Sequence, residues 1–167
     1  NSILGRKLLP VGIVPITSAV TRIEYAEGET GDSARVYFLN GLSEEIPVQN
    51  LNEYISEKEN HDNERGVAEV ELRTDSDFLK DGLILVDTTG VGSVHENNSK
   101  SAYDFARESD GVVLMLSVDS PINQIEVDFL KSVRRFAGKF YFTVNKIDTV
   151  EEDDLAEYLE YCTSLIE

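Results

Sequence analysis

Ala68, Val70 and Leu72 alternate with Glu69, Glu71 and Arg73, the period-two pattern of a strand with one face in solvent. Leu83–Val86, Val112–Leu116 and Phe140–Val144 are nearly continuous apolar runs, which predicts strands buried on both faces. Val20–Tyr25 and Ala34–Leu39 are two further strand candidates, and Asn40-Gly41 is a turn after the second. Ile122, Ile125, Phe129, Leu130, Val133 and Phe136 fall at helical spacing behind Ser120-Pro121, a capping hydroxyl before a proline at the first helical position. Thr149 and Glu152 have capping-box spacing, and Leu155, Tyr158, Leu159, Cys162, Leu165 and Ile166 form the next apolar stripe. Pro47–Ser56 and Asn97–Glu108 are shorter helix candidates, and residues 57–66 read as a polar loop. Strands that alternate with helices predict an α/β fold, a mostly parallel sheet with flanking helices.

Composition narrows the picture. The 167 residues, 41% hydrophobic and 28% charged, match one ordinary globular domain. Cys162 is the only cysteine, so no intrachain disulfide forms, and its place on an apolar stripe predicts a buried structural thiol. Fifteen basic residues stand against 32 acidic ones, a net charge of −17, which excludes nucleic acid as a general partner. Residues 1–23 hold Arg6, Lys7 and Arg22 and no acid, so this end suits an anionic ligand. The segment Glu151–Glu167 has acids and no base and reads as a solvated face. No apolar run is long enough to cross a membrane as a helix. The only methionine is Met115, and the chain opens Asn-Ser-Ile-Leu. It is therefore read as a piece of something longer.

Two motifs carry chemistry. Leu83–Val86 runs into Asp87-Thr88-Thr89-Gly90, and ligands of parallel α/β sheets bind beyond strand carboxyl ends. An aspartate there can hold Mg2+, usually through water. Gly90 lets a backbone N–H approach a phosphate oxygen. Alone, this tetrapeptide is as compatible with a turn. The second motif, Asn145-Lys146-Ile147-Asp148, comes directly after Phe140–Val144. The Asp148 carboxylate can accept from the N1–H and N2–H2 edge of guanine, a donor pair that adenine lacks. Asn145 can satisfy another polar edge, and the Lys146 stem can lie along the base. The two motifs in this order, each after a strand, have the layout of guanine-nucleotide-binding domains. The phosphate loop G-x-x-x-x-G-K-[ST] that should precede them does not occur in the sequence: the only Gly-Lys pair is Gly138-Lys139, with Phe140 after it. Asn1–Lys7 reads as the helix that would come after such a loop.

Residues 1–25, from Asn-Ser-Ile-Leu-Gly-Arg-Lys to Val-Thr-Arg-Ile-Glu-Tyr, resemble the stretch after the phosphate loop in bacterial dynamin-like GTPases. Residues 87–98 are similar to the second switch of that family, and Ser117–Ile122 and Asn145–Asp148 fit as well. The resemblance implies a P-loop GTPase-like fold lacking its first strand and phosphate loop. Residues 1–167 would be a partial GTPase domain, truncated at the N-terminus and at the C-terminus too. It implies that Thr17 is the switch threonine, binding Mg2+ and helping to place the attacking water, with Gly90 beside it in catalysis. Asp87 would be the other metal residue, and Asn145, Lys146 and Asp148 with Gly90 would bind the nucleotide. The parent would hydrolyse GTP to GDP with Mg2+, pair through its GTPase domains and remodel membranes. It would be cytoplasmic and peripheral to the membrane, with membrane contact only through regions outside this chain. The chain alone is expected to be inactive. The family usually has Asp-Thr-Pro-Gly where this chain has Thr89, which should leave the switch freer. The alternatives are a non-catalytic GTPase-like module that binds nucleotide or protein, and a GTPase of another class. His95 and His61 read as exposed loop histidines and Arg22 as a surface or strand-edge residue, since phosphoryl transfer rests mainly on positioning and electrostatics.

Overall fold

In a computed structural model of the chain, which describes residues 1–11, 17–27, 31–90, 96–136 and 138–166, the alternating run becomes the middle strand of a five-stranded sheet. The strands are β1 (Thr21–Tyr25), β2 (Ser33–Phe38), β3 (Ser43–Ile46), β4 (Val67–Thr74) and β5 (Leu85–Asp87), in the order β3-β2-β4-β1-β5. β1 runs parallel to β4, and the other three pairings are antiparallel. One antiparallel pair, β2 with β3, is a hairpin: Gly41 has φ +84, and its N–H donates to Phe38 O at 2.9 Å across the Asn40-Gly41 turn. Ile23, Val36, Val70 and Leu72 pack from the sheet against Leu4, Leu51, Ile55 and Leu79. The inward set on β4 is Val67, Val70 and Leu72, with Ala68 exposed. That differs from the strict alternation expected of the sequence, because the register with β2 shifts between Tyr37 and Phe38 and such a shift turns the adjoining side chains over.

The chain divides into two compact units, Asn1–Ala102 and Tyr103–Glu167. In the first, Pro47–Ser56 splits into a 3-10 turn at Val48–Asn50 and the one-turn helix α1 (Asn52–Ile55). Residues 57–66 form the expected polar loop, organised around buried Asn60. Its amide donates to Tyr54 O and to Asn63 Oδ1, and its Oδ1 accepts from Arg65 N at 3.0 Å. Asn1–Lys7 is a turn rather than the expected helix. Gly5 has φ +69, and the Asn1 side chain takes the N–H groups of Leu8 and Leu9 at 2.8 and 2.9 Å. The strand expected over Leu83–Val86 is β5, two residues later, and Leu83 and Ile84 are exposed. Helix α2 (Glu96–Glu108) begins one residue before the predicted start.

The second unit pairs β6 (Val112–Ser117) with β7 (Phe140–Asn145) in parallel, from Val112↔Phe140 to Ser117↔Asn145. Helices α3 (Gln124–Val133) and α4 (Glu152–Ile166) complete it. Leu114 and Leu116 pack with Val127, Leu130 and Cys162, so the thiol is buried as predicted. The opposite face of β6 carries Val113 and Met115, 60% and 64% exposed, where two-sided burial was expected. Residues two apart on a strand share a face, and in this unit α3 and α4 supply partners to the Leu114–Leu116 face alone.

α3 starts later than its sequence suggests. Ser120 lies in an isolated bridge with Ser117, and the cap is Asn123. Its Oδ1 accepts from Glu126 N at 3.1 Å while Glu126 Oε2 accepts from Asn123 N at 2.8 Å. That reciprocal box satisfies two end N–H groups that Ser120 would leave open. Asn123→Ala should therefore cost about 1 kcal/mol of stability in urea unfolding, and Ser120→Ala should stay within about 0.5 kcal/mol. Equal losses would place the cap elsewhere.

Candidate functional site

Antiparallel pairing of β1 with β5 sets Thr21 opposite Asp87, Arg22 opposite Val86 and Ile23 opposite Leu85. The start of β1 and the end of β5 thus lie at one edge of the sheet. Thr17 precedes β1 and is bridged antiparallel to Ser56, while the Ser18 N–H donates to Ile55 O at 2.8 Å. These bonds tie the segment that leads into β1 to the end of α1. Asp87 is half-buried, and burial pushes its carboxyl above the ordinary carboxylate range. Among the described residues no hydrogen bond reaches that carboxylate. Thr89, where proline was expected, is buried and partnered. Gly90 is exposed, and a Cβ added there would meet no atom of the described residues within 4 Å. Residues 91–95 of the second switch, His95 included, lie outside the described residues.

The second unit presents the other motif. The parallel register puts Ser117 beside Asn145, so the loops after β6 and β7 leave from one edge. Asn145 Oδ1 accepts from Lys146 N at 2.8 Å, and its amide lies 4.0 Å from Met115 Sδ. Lys146 is held at φ +60, ψ +26, a left-handed conformation that non-glycine residues seldom adopt and that concentrates at functional sites. Its ammonium pairs with Asp119 in the loop after β6, and Ser117 Oγ also donates to Asp119. Both donors, the lysine foremost, hold the Asp119 carboxyl below its ordinary range. Thr149 closes the turn, with N and Oγ1 donating to Lys146 O at 3.0 and 2.7 Å. Asp148 sits in the one-turn 3-10 helix Ile147–Thr149, exposed, with no hydrogen bond to its carboxylate among the described residues.

Two supporting residues escape a reading of the sequence. Asp119 is visible there only as part of Ser117–Ile122, with nothing local to mark it as the partner of Lys146. Tyr158 reads as core, yet its hydroxyl donates to Ser117 O at 3.0 Å. Burial pushes that hydroxyl up to about 12, so it stays protonated as a donor. Other expectations were of inert residues. Arg22 pairs with Glu24 at 2.6 Å, and His61 is exposed beside Asp62. Arg6, in the basic start, is held by Asp32 at 2.9 Å and by Asp75, which leaves less free positive charge there than the sequence suggests.

The chain is similar to several known proteins. It is 37% identical over 166 residues to an uncharacterized protein from the xynA 3′ region of Caldicellulosiruptor sp. (strain Rt8B.4), covering 99% of this chain and 40% of that protein. It is 21% identical over 198 residues to dynamin-like protein 1 of Campylobacter jejuni, covering 96% of this chain and 27% of that one. A solved structure of an oligomerised bacterial dynamin pair, described as a mechanism for long-range sensing and tethering of membranes, superposes with a TM-score of 0.75 at 18% identity. That match covers 99% of this chain and 28% of the other. The chain thus spans less than half the length of each of these relatives. At that identity the superposition establishes the shared α/β fold, a P-loop GTPase-like one. Residues 1–148 match the Dynamin family, and the chain belongs to that family.

Proposed function

We propose that this chain is part of a longer dynamin-like GTPase that binds GTP and hydrolyses it to GDP and phosphate with Mg2+. The observation that carries this reading is the presentation of Asn145–Asp148 beyond β7: a strained Lys146 turn, pinned by Asp119 and Thr149, leaves the Asp148 carboxylate exposed and unpaired. A carboxylate so placed accepts the two donors of a guanine edge, while Asn145 and the Lys146 stem serve the rest of the base. Thr17 and Asp87 are the residues that would hold Mg2+. Oxygen donors suit this hard cation, and a half-buried carboxylate with no donor, such as Asp87, is an environment that a cation would relieve. The metal, when bound, supplies charge neutralisation at the phosphates. Gly90 is exposed and carries no side chain, so its N–H can take a phosphate oxygen. Thr17, through its backbone, and Gly90 orient the water and the γ-phosphate in turnover.

Under this reading the domain is incomplete at both ends, and the phosphate loop lies upstream. Self-association runs through the GTPase domain. Membrane remodelling, with a cytoplasmic and membrane-peripheral location, is inferred by analogy with the bacterial dynamin pair that senses and tethers membranes. No helix among the described residues is long and apolar enough to cross a membrane. The net charge of −17 would be repelled by anionic headgroups, so membrane contact belongs to other parts of the protein.

In the full-length protein, Asp148→Asn should weaken GTP by roughly 2–4 kcal/mol, the scale for mispaired buried polar groups, and shift preference toward XTP. Competition between the two nucleotides reads this directly, and an unchanged preference would reduce the motif to a turn. Thr17→Ala should lower turnover by about a hundredfold, on the order of 3 kcal/mol, and spare GDP affinity. Single-turnover hydrolysis checks it against Ser18→Ala, which should keep its rate. The reverse pattern would move the switch assignment to the neighbouring residue.

A further inference from the structure

Thr21 occupies an unusual position. It is fully buried, and among the described residues its Oγ1 has no hydrogen-bond partner. An orphan buried hydroxyl carries a desolvation penalty that valine, its β-branched counterpart, would avoid. Valine would suit the place on packing grounds, since the parallel neighbour of Thr21 on β4 is Val70. Thr74, buried in the same sheet, shows the ordinary solution, because its Oγ1 donates to Asp32 Oδ1 at 2.7 Å. Most buried polar groups are satisfied, and one that is not calls for a reason.

The other neighbour of Thr21 supplies one. Across the β1–β5 ladder Thr21 stands directly opposite Asp87. Directly opposed residues project to the same face, with Cβ atoms about 4.5–5.5 Å apart, within rotamer reach of a hydroxyl and a carboxylate. Among the described residues, an unpaired donor thus stands opposite a carboxylate that no hydrogen bond reaches. In this structure the two are not bonded to each other.

We propose that Thr21 is a positioning residue, whose hydroxyl donates to the Asp87 carboxylate when that carboxylate faces Mg2+. The inference rests on the assignment of Asp87 made under the proposed function. A carboxylate bound on one side by a cation, directly or through water, retains lone pairs on its other oxygen. A donor there selects one rotamer and so fixes which oxygen faces the cation. Residues that orient metal ligands in this way typically change metal affinity by about 10- to 100-fold when removed. The cost of an orphan buried hydroxyl is consistent with a group kept for binding rather than for stability.

The test uses full-length protein carrying Thr21→Val, Thr21→Ser or Thr74→Val. Thermal melting without Mg2+ or nucleotide comes first. Thr21→Val should melt at or above the wild-type temperature, because it removes an unsatisfied hydroxyl, and Thr74→Val should melt below it. A clear drop for Thr21→Val would show that the hydroxyl is already bonded and would overturn the proposal. Release of a fluorescent GDP analogue is then monitored across a Mg2+ titration. In Thr21→Val the Mg2+ concentration needed for half-maximal retention should rise about tenfold or more, and Thr21→Ser should restore it. An unchanged Mg2+ midpoint in Thr21→Val, with wild type clearly Mg2+-dependent, would overturn this inference and leave the GTPase reading intact. A wild type whose nucleotide retention ignores Mg2+ would overturn both.

Discussion

The two-sided pairing of β1 is the constraint on which the first unit depends. The strand is hydrogen-bonded to β4 in parallel over Thr21–Tyr25 and to β5 in antiparallel over Thr21–Ile23. Register is therefore set from both sides, and a slip of one residue would turn Asp87 and Leu85 to the opposite face of the sheet. Because Ile23 and Leu85 share that face with the apolar core, hydrophobic burial enforces the register that also positions Asp87. Antiparallel geometry then brings the beginning of β1 and the end of β5 to one edge, although Thr17 and Asp87 lie far apart in sequence. The core of this unit thus fixes the alignment of residues that contribute little to its stability.

The second unit achieves the same result with parallel strands. The run of pairs from Val112↔Phe140 to Ser117↔Asn145 makes the loops after β6 and β7 neighbours. The segment beyond β7 is polar and locally strained: a left-handed Lys146, its ammonium held by Asp119, and a turn closed by Thr149. The strain costs of order 1–3 kcal/mol, and the surrounding bonds offset it. Tyr158 donates from α4 to Ser117 O, so the helix that covers the apolar face of β6 also restrains its carboxyl end. Apolar packing sets where each strand ends, and polar bonds shape the loop that emerges from it.

Much of this was legible in the sequence because both relevant signals are local. Period-two and helical spacing exposed most strands and helices, and Asp87–Gly90 and Asn145–Asp148 announced themselves by their place after apolar runs. The departures share a cause in contacts that local patterns do not encode. The shift that turns Ala68 outward belongs to the pairing of β4 with β2. Asn123 outcompetes Ser120-Pro121 as a cap because Glu126 completes a reciprocal box with it, whereas proline at a first helical position is only a permissive signal. Val113 and Met115 read as buried because apolar runs do not reveal which faces find a partner. Asp119 and Thr21 were hidden for the same reason: the significance of each lies in a residue more than 25 positions away, Lys146 for one and Asp87 for the other. By contrast, the roles given to Thr17, Asp87, Gly90, Asn145, Lys146 and Asp148 come from motif chemistry and resemblance, and what the structure adds is their setting.

In the function proposed above, the strand ends display groups for a guanine nucleotide and a phosphate loop upstream of this chain would hold its phosphates. Titration of a fluorescent GTP analogue tests it most directly, in this chain and in protein extended upstream to include that loop, with unlabelled GTP and ATP as competitors. The extended protein should bind the analogue at micromolar concentrations or tighter, more strongly with Mg2+, and the analogue should be displaced by GTP but not by ATP, while the shorter chain should bind much more weakly. Displacement by ATP as readily as by GTP, or equal affinity in the two proteins, would contradict it.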